Sequence, residues 1–416
     1  MIDQKPPVPT GGVILVTRAD LFPANYGSAV KIDQTALALS RQGCPVRIVT
    51  DNRSHYYLYS EGRQTSHAFP AWLRIGPWSR LMRHRLRLKG IPVDEAFIYL
   101  PLLDWSITLR AAYVAARTGA RVFQAEFPGY ALPCIRLRRM FGGCVLLSEH
   151  NVGFERVGAQ QPALSPQVRD LLRKMEVALC NRADRVVTVS ALDRNALVAA
   201  GVDAPRTRVI PLGVDIAPFE LATRASGFLR QHGIGADRAL LVYHGTFRYQ
   251  PNLKAIRILA TEILPRLRAR GYEPIVLAVG THPPLEPLHP DVIFTGAVDT
   301  VAPYLKAAAV AVVPLQQGGG TRMKVLDYFA ASVPVVSTSK GVEGMGLTDG
   351  EQVLIRDGYE AIAEAVALLL SDSSRSRRLA ESGRRFVQQF DWSYIAAAHL
   401  RLYDECTSPS GTARAG

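Results

Sequence analysis

A chain of 416 residues, 48% hydrophobic and 20% charged, is too long for one ordinary core and too apolar for a disordered or fibrous protein, which leaves a globular protein of two domains of about 200 residues each. No apolar run reaches the length of a membrane span, and residues 1–10 form a polar, proline-bearing tail without a signal-peptide pattern, so the expected location is the cytoplasm. The net charge of +13 is uneven, with 28 Lys and Arg against 17 Asp and Glu in residues 1–215, an excess of +11, and only +2 in the remainder.

In chain order, residues 12–17 form a short β-branched run, residues 22–27 a turn-rich loop, residues 28–41 a helix with Ile32, Ala36, Leu37 and Leu39 on a rough helical period, and residues 46–50 a second strand. Strand, glycine-bearing loop, helix, strand is the opening of a doubly wound sheet, whose ligands bind outside the carboxyl ends of the strands. Asn25, Tyr26 and Gly27 are therefore expected to face a cleft. The loop is not Gly-x-Gly-x-x-Gly and no acidic residue is placed for a ribose, which excludes a nicotinamide site; a nucleoside triphosphatase loop is absent too.

Residues 51–101 read as the least regular part of the first half. Within them Arg80, Arg83, Arg85, Arg87 and Lys89 alternate with apolar residues, downstream of Trp72 and Trp78. That mixture suits an anionic membrane surface or an acidic acceptor, or simply a solvated basic face. A basic face also suits nucleic acid, but no nucleic-acid-binding signature is present and none is expected as a partner. Residues 107–118 read as a helix, 121–125 as a strand closing on Glu126, and 145–148 as a strand running into Glu149, His150 and Asn151. Polar residues at a strand's carboxyl end are placed for cleft chemistry. His150 is positioned to donate to a sugar hydroxyl or a carbonyl.

Residues 167–181 form a long helix, 183–190 and 209–215 further strands, and 216–237 a linker of mixed composition. The βα pattern then restarts, with strands at 239–244, 275–280, 292–295, 310–313 and 335–337, a helix at 253–267, and a last helix at 391–406 placed to cross back to the first domain. The five cysteines, Cys44, Cys134, Cys144, Cys180 and Cys406, are widely spaced in mostly apolar segments, so they read as core residues, with neither a disulfide framework nor a zinc site.

The strongest single stretch is residues 312–338. A buried strand ends at Pro314, Gly318, Gly319 and Gly320 form a loop, Thr321 caps a helix over residues 321–331, and another strand follows. The free N–H groups of that helix start, with Arg322 and Lys324 beside it, suit a phosphate. A plain βα turn with solvated basic residues is the alternative.

Taken together, Ser148-Glu-His-Asn151, Ala183-Asp-Arg-Val-Val-Thr-Val-Ser190, Ile210-Pro-Leu-Gly-Val-Asp215, Phe294-Thr-Gly296 and the glycine loop with Ala330-Ala-Ser-Val-Pro-Val-Val336 resemble family 4 glycosyltransferases of the GT-B fold, over nearly the whole chain. The resemblance implies an α/β fold of two doubly wound, Rossmann-like domains with an interdomain cleft. Residues 1–215 would bind the acceptor, with the helix at 391–406 packed back on them, and residues 216–390 would bind a nucleotide-activated sugar. It implies a UDP or GDP sugar as donor, a glycan, lipid-linked or small-molecule acceptor, retention of anomeric configuration, and neither a metal nor another cofactor.

Carried over by position, the resemblance assigns Arg248, Gly296, Gly318, Gly319, Gly320, Thr321 and Asp327 to the donor, Tyr26, Gly27, Glu126 and Asn151 to the acceptor, and His150, Arg322 and Lys324 to catalysis. The family's two loop glutamates align with Gly319 and Asp327, and its diphosphate-gripping arginine and lysine with Thr246 and Pro251. Arg248, Lys254, Arg322 and Lys324 are the nearby cations to replace that grip. This variant resembles a branch of the family seen in polysaccharide and cell-surface glycan pathways. The leaving diphosphate needs positive charge, and the helix start supplies only about 0.3 to 2 kcal/mol, so side-chain cations must carry more. A sugar-nucleotide epimerase of similar architecture and an inactive nucleotide-sugar-binding subunit are the alternatives.

Overall fold

β-branched runs buried on both faces build two sheets whose strands are mostly parallel, the pattern expected when helices cover each side. The computed structural model describes residues 6–18, 27–51, 54–74, 105–160, 165–235, 238–317 and 323–408, in two compact units, Met1–Leu212 with Trp392–Gly416, and Gly213–Asp391. In the first unit β1 (Val13–Val16) leads to helix α1 (Gly27–Arg41) and β2 (Val46–Val49). β3 (His55–Ser60) and β4 (Arg63–Ala68) follow as an antiparallel hairpin. This corrects the reading of residues 51–101 as irregular. The hairpin turns at Glu61 and Gly62, both at positive φ, as a two-residue turn requires.

Helix α2 (Trp105–Thr118), β5 (Val122–Glu126), α3 (Ala131–Phe141) and β6 (Cys144–Glu149) continue the unit. Then come α4 (Gly153–Gln160), α5 (Pro166–Arg182), β7 (Arg185–Thr188), α6 (Ala191–Ala199) and β8 (Thr207–Val209). The strand order is β4-β3-β2-β1-β5-β6-β7-β8. The chain reverses direction across the sheet between β1 and β5, so the crevice at their carboxyl ends is this unit's switch point. Ser165 caps α5 by accepting from Val168 N, and Ser190 caps α6 by accepting from Asp193 N.

The second unit's sheet has the order β11-β10-β9-β12-β13-β14. Its strands are β9 (Leu240–His244), β10 (Ile275–Val279), β11 (Val292–Gly296), β12 (Val310–Val313), β13 (Val335–Ser337) and β14 (Leu354–Ile355). Its switch point lies between β9 and β12. Helix α7 (Gln250–Ile258) passes through a wide π turn (Leu259–Ile263) and one more helical turn (Leu264–Arg268), which corrects the single helix expected there. Pro265 follows the π turn and has no N–H to continue the regular ladder. The stretch read as a linker holds two short helices, Ala217–Leu221 and Ser226–Gln231. Helices α8 (Met323–Ala330), α9 (Tyr359–Ser371) and α10 (Ser373–Val387) complete the unit.

Helix α11 (Trp392–Thr407) belongs to the first unit, where Trp392, Ile395, Leu400 and Tyr403 pack in one core with Ile32, Ala36 and Leu39 of α1. Cys406 near its end is disulfide-bonded to Cys144 of β6, against the expectation of unpaired cysteines. A separation of 262 residues left the pair without a sequence signal. Cys44, Cys134 and Cys180 are free and buried. Among the described residues no helix is long and apolar enough to cross a membrane.

Candidate functional site

In the first unit, polar side chains gather at the carboxyl ends of β5 and β6. Glu126 closes β5 and is fully buried. Its Oε2 accepts from Lys31 Nζ at 2.8 Å and lies 2.6 Å from His150 Nε2, and its Oε1 accepts from Gln124 Nε2 at 2.5 Å. Lys31 Nζ also donates to Ser148 Oγ at 2.5 Å. Gln124 Oε1 accepts from the Tyr403 hydroxyl of α11 at 2.6 Å. Burial opposes ionisation of Glu126, but the Lys31 ammonium and the hydrogen bonds from His150 and Lys31 outweigh it and hold the carboxyl well below its usual range. Burial, reinforced by the Lys31 charge, lowers the His150 pKa. His399 on α11 faces the same charges and is pushed down to about 3, chiefly by burial.

The His150 ring stacks on Phe127, with centroids 4.3 Å apart. Phe127 holds φ +77° and ψ 150°, a region nearly confined to glycine that costs on the order of 1–3 kcal/mol and concentrates at functional sites. Just past His150, the first two N–H groups of α4, from Gly153 and Phe154, donate to Glu176 at 2.8 and 2.9 Å. Beside Glu176 lie Glu149 and Cys180, whose thiol donates to Glu149 Oε1 at 3.5 Å. Burial raises both carboxyls, Glu149 further through the neighbouring Glu176 charge and Glu176 to about 7. The connection carrying His150 is thus held at both ends.

In the second unit the switch point presents Lys324 on the first turn of α8. Its Nζ donates to the Tyr243 hydroxyl at 2.6 Å and to Asn252 Oδ1 at 2.7 Å, and sits 3.9 Å from the Tyr243 ring centroid. Both of these partners are neutral, so they orient the ammonium without cancelling its charge. Asn252 is fixed in turn by donating to Thr246 O at 2.9 Å. Gly245 and Gly280, after β9 and β10, have φ +149° and +138°, and a Cβ on Gly280 would fall 2.0 Å from Gly245 O. Only glycine permits that approach of two backbones. Arg248 is exposed on the loop between β9 and α7.

One turn beyond Lys324, Asp327 Oδ2 lies 3.3 Å from His244 Nε2, and His244 N donates to the Tyr328 hydroxyl at 2.9 Å. A cavity of about 430 Å³ opens at the ends of β12 and β13, lined by Pro314, Leu315, Gln316, Thr338, Tyr359 and Ile362 among others. That volume is within the range of small-molecule sites, about 300–1,000 Å³.

Two family models match the chain. One described as Glycosyltransferase Family 4 matches residues 27–217, and one described as Glycosyl transferases group 1 matches residues 238–372. The chain belongs to the family 4-like glycosyltransferases of the GT-B fold. Among relatives of this family, a D-inositol 3-phosphate glycosyltransferase of Nocardia farcinica is 26% identical over 62% of this chain and 60% of its own length. A GDP-mannose-dependent alpha-(1-6)-phosphatidylinositol monomannoside mannosyltransferase of Mycobacterium tuberculosis is 28% identical over 56% of this chain and 64% of its own. The chain thus spans roughly 60% of the length of the curated relatives it matches. Among solved GT-B folds, sucrose-phosphate synthase of Thermosynechococcus elongatus superposes with a TM-score of 0.65 at 20% identity, over 95% of this chain and 98% of its own. Anabaena HepE in complex with UDP gives 0.64 at 14%, over 95% and 100%. At these identities the likeness concerns the fold.

In this chain, Asn25, Tyr26, Gly318, Gly319, Gly320, Thr321, Arg322 and the basic run 80–89 lie outside the described residues. Gly27 begins α1 and is exposed, Asn151 is half-buried after His150, and Gly296 ends β11 at φ +72°. The assignment of Glu126 to the acceptor is corrected, because a fully buried carboxylate with both oxygens occupied has nothing to offer a ligand. Glu149 is corrected likewise; it is the last residue of β6 and buried. The residues that reading of the sequence missed are Lys31, Gln124 and Tyr403 in the first unit and Tyr243, His244 and Asn252 in the second. Gln124 and Glu126 carried a signal, since polar residues in a strand buried on both faces need internal partners.

Proposed function

We propose that this chain transfers a sugar from a nucleoside-diphosphate sugar to a hydroxyl of a glycan, a glycolipid or a phosphate-bearing small molecule, without a metal and with retention of configuration. The observation that carries the reading is Lys324, held at the second unit's switch point by two neutral partners, 2.6 and 2.7 Å away, where a strand-end crevice takes its ligand. A cation at that position stabilises a leaving diphosphate, with Arg322 and the glycine-loop N–H groups as further donors. Asp327 accepts from the ribose and Arg248 reaches the phosphates from the β9 loop. In the first unit His150 addresses a sugar hydroxyl. The donor base is uracil or guanine; HepE is solved in complex with UDP, and one relative is named as GDP-mannose-dependent. Two relatives are named for inositol-bearing acceptors, which supports an acceptor of that class at a cytoplasmic membrane face.

The test is release of nucleoside diphosphate from UDP-glucose and GDP-mannose, with and without inositol 3-phosphate or phosphatidylinositol vesicles. Acceptor-dependent release with an α-linked product by NMR is the expected result. Release without any acceptor would favour an epimerase, and no release from a folded, nucleotide-binding protein would favour a non-catalytic subunit.

A further inference from the structure

Four buried side chains converge on His150 from three elements, and their donors and acceptors leave one consistent arrangement of protons. The Tyr403 hydroxyl donates to Gln124 Oε1, so the Gln124 amide nitrogen faces Glu126 and donates to Oε1. Lys31 donates to Oε2, the oxygen that also meets His150 Nε2. A carboxylate beside a buried ammonium, with a donor on each oxygen, is ionised and accepts only. The imidazole nitrogen facing it therefore carries a hydrogen. We propose that Lys31, Glu126, Gln124 and Tyr403 form a positioning chain that fixes His150 as the tautomer protonated on Nε2, so that Nδ1 meets the reacting sugar as a hydrogen-bond acceptor. This reverses the donor role expected from the sequence. It rests on the glycosyl-transfer reading for the identity of the hydroxyl, while the tautomer itself follows from the first unit alone.

The groups facing His150 are Lys31 from α1, Glu126 from β5 and, through the same charges, His399 from α11. Among the described residues Nδ1 has no hydrogen-bond partner. The Phe127 ring against the other face of the imidazole prevents it from turning over. Helix α11, far along the chain from β5, thereby becomes part of the catalytic support through Tyr403, which is a positioning residue and touches no substrate.

Long-range 1H–15N NMR of the full chain with 15N-histidine tests the proposal, with His150→Gln identifying the resonance. The wild type is expected to show a neutral Nε2–H imidazole at neutral pH. In Tyr403→Phe, Gln124 loses its anchor and is free to turn; the His150 signals are expected to shift toward a tautomer mixture, and kcat to fall roughly three- to tenfold, the scale of one hydrogen bond, with donor KM unchanged. In Lys31→Met the ammonium that opposes protonation is gone while Glu126 remains, so the His150 midpoint is expected to rise by about one unit or more, and the acidic limb of the rate profile with it. A wild-type proton on Nδ1, or an imidazolium at neutral pH, would overturn the proposal. So would His150 spectra in both variants that match the wild type. If no transfer is detected with any donor, the proposed function fails while the spectra still decide the tautomer.

Discussion

The two polar clusters of this protein differ in where their charge goes. In the first unit the Lys31 ammonium, 4% exposed, meets the carboxylate of Glu126, 0% exposed, and its charge is cancelled inside the fold. In the second unit Lys324 meets a hydroxyl and an amide carbonyl, neither of which carries a charge. A buried ion pair commits both residues to structure, because removing either leaves an uncompensated charge. Neutral dipoles orient a cation without cancelling its charge. The contrast separates a unit that fixes the geometry of one imidazole from the unit whose cation the proposed function assigns to a diphosphate.

The largest effect expected from breaking that contrast is on stability in the first unit. Glu126→Ala leaves Lys31 buried without its carboxylate and should lower the unfolding free energy by about 3–5 kcal/mol, read by urea denaturation. A loss below about 1 kcal/mol would mean that water reaches Lys31 and that the pair is not a buried one.

A second effect is on pH dependence. Glu149 and Glu176 are raised by burial, and Glu149 further by the Glu176 charge, so the folded state binds more protons than the unfolded state between the ordinary carboxylate pKa and neutrality. Stability then falls as pH rises through that window. Glu149→Gln keeps the shape of a carboxyl that is neutral in the fold, removes its share of that proton uptake, and should flatten the decline by about 1–3 kcal/mol between pH 4.5 and 7. Unfolding curves of the two proteins at four pH values check it, and parallel declines would disprove a Glu149 carboxyl that stays protonated in the fold.

In the second unit the order of effects reverses. Lys324→Met should cost only about 1 kcal/mol of stability, the worth of its hydrogen bonds, but at least a tenfold loss in nucleoside diphosphate affinity, about 1.4 kcal/mol. Smallest of all, Asp327→Asn weakens a partly exposed pair with His244, the two side chains being 22% and 12% exposed, and keeps an acceptor for the ribose. A stability change below about 1 kcal/mol is expected, with a threefold or smaller rise in donor KM in steady-state assays, roughly 0.6 kcal/mol.

Much of this fold was legible in the sequence because parallel strands buried on both faces are written as apolar runs, and Val13–Val16 and Val310–Val313 are read without ambiguity. The β3–β4 hairpin was missed because Tyr56, Tyr57 and Tyr59 sit in a run without clean alternation and every residue of β4 is exposed; its one signal was Glu61-Gly62. Lys324 was legible as a cation beside a glycine loop. Its partners were not, since Tyr243 and Asn252 lie 81 and 72 residues away. Lys31 was invisible for a different reason. A lysine on an amphipathic helix reads as solvated, and only the fully buried Glu126 opposite it, 95 residues on, makes it an interior residue. His150 was found by its position at a strand end, but its direction of hydrogen bonding depends on Lys31, Glu126, Gln124 and Tyr403, which the sequence scatters over three elements.

The most direct measurement is a calorimetric titration of UDP and GDP into the wild type, Lys324→Met and Lys31→Met, with circular dichroism to establish that all three are folded. The account predicts that one nucleotide binds selectively to the wild type, that Lys324→Met binds it at least tenfold more weakly, about 1.4 kcal/mol, and that Lys31→Met binds it as the wild type does. Binding that survives in Lys324→Met, or no nucleotide bound by the folded wild type, would contradict a diphosphate site at the second unit's switch point.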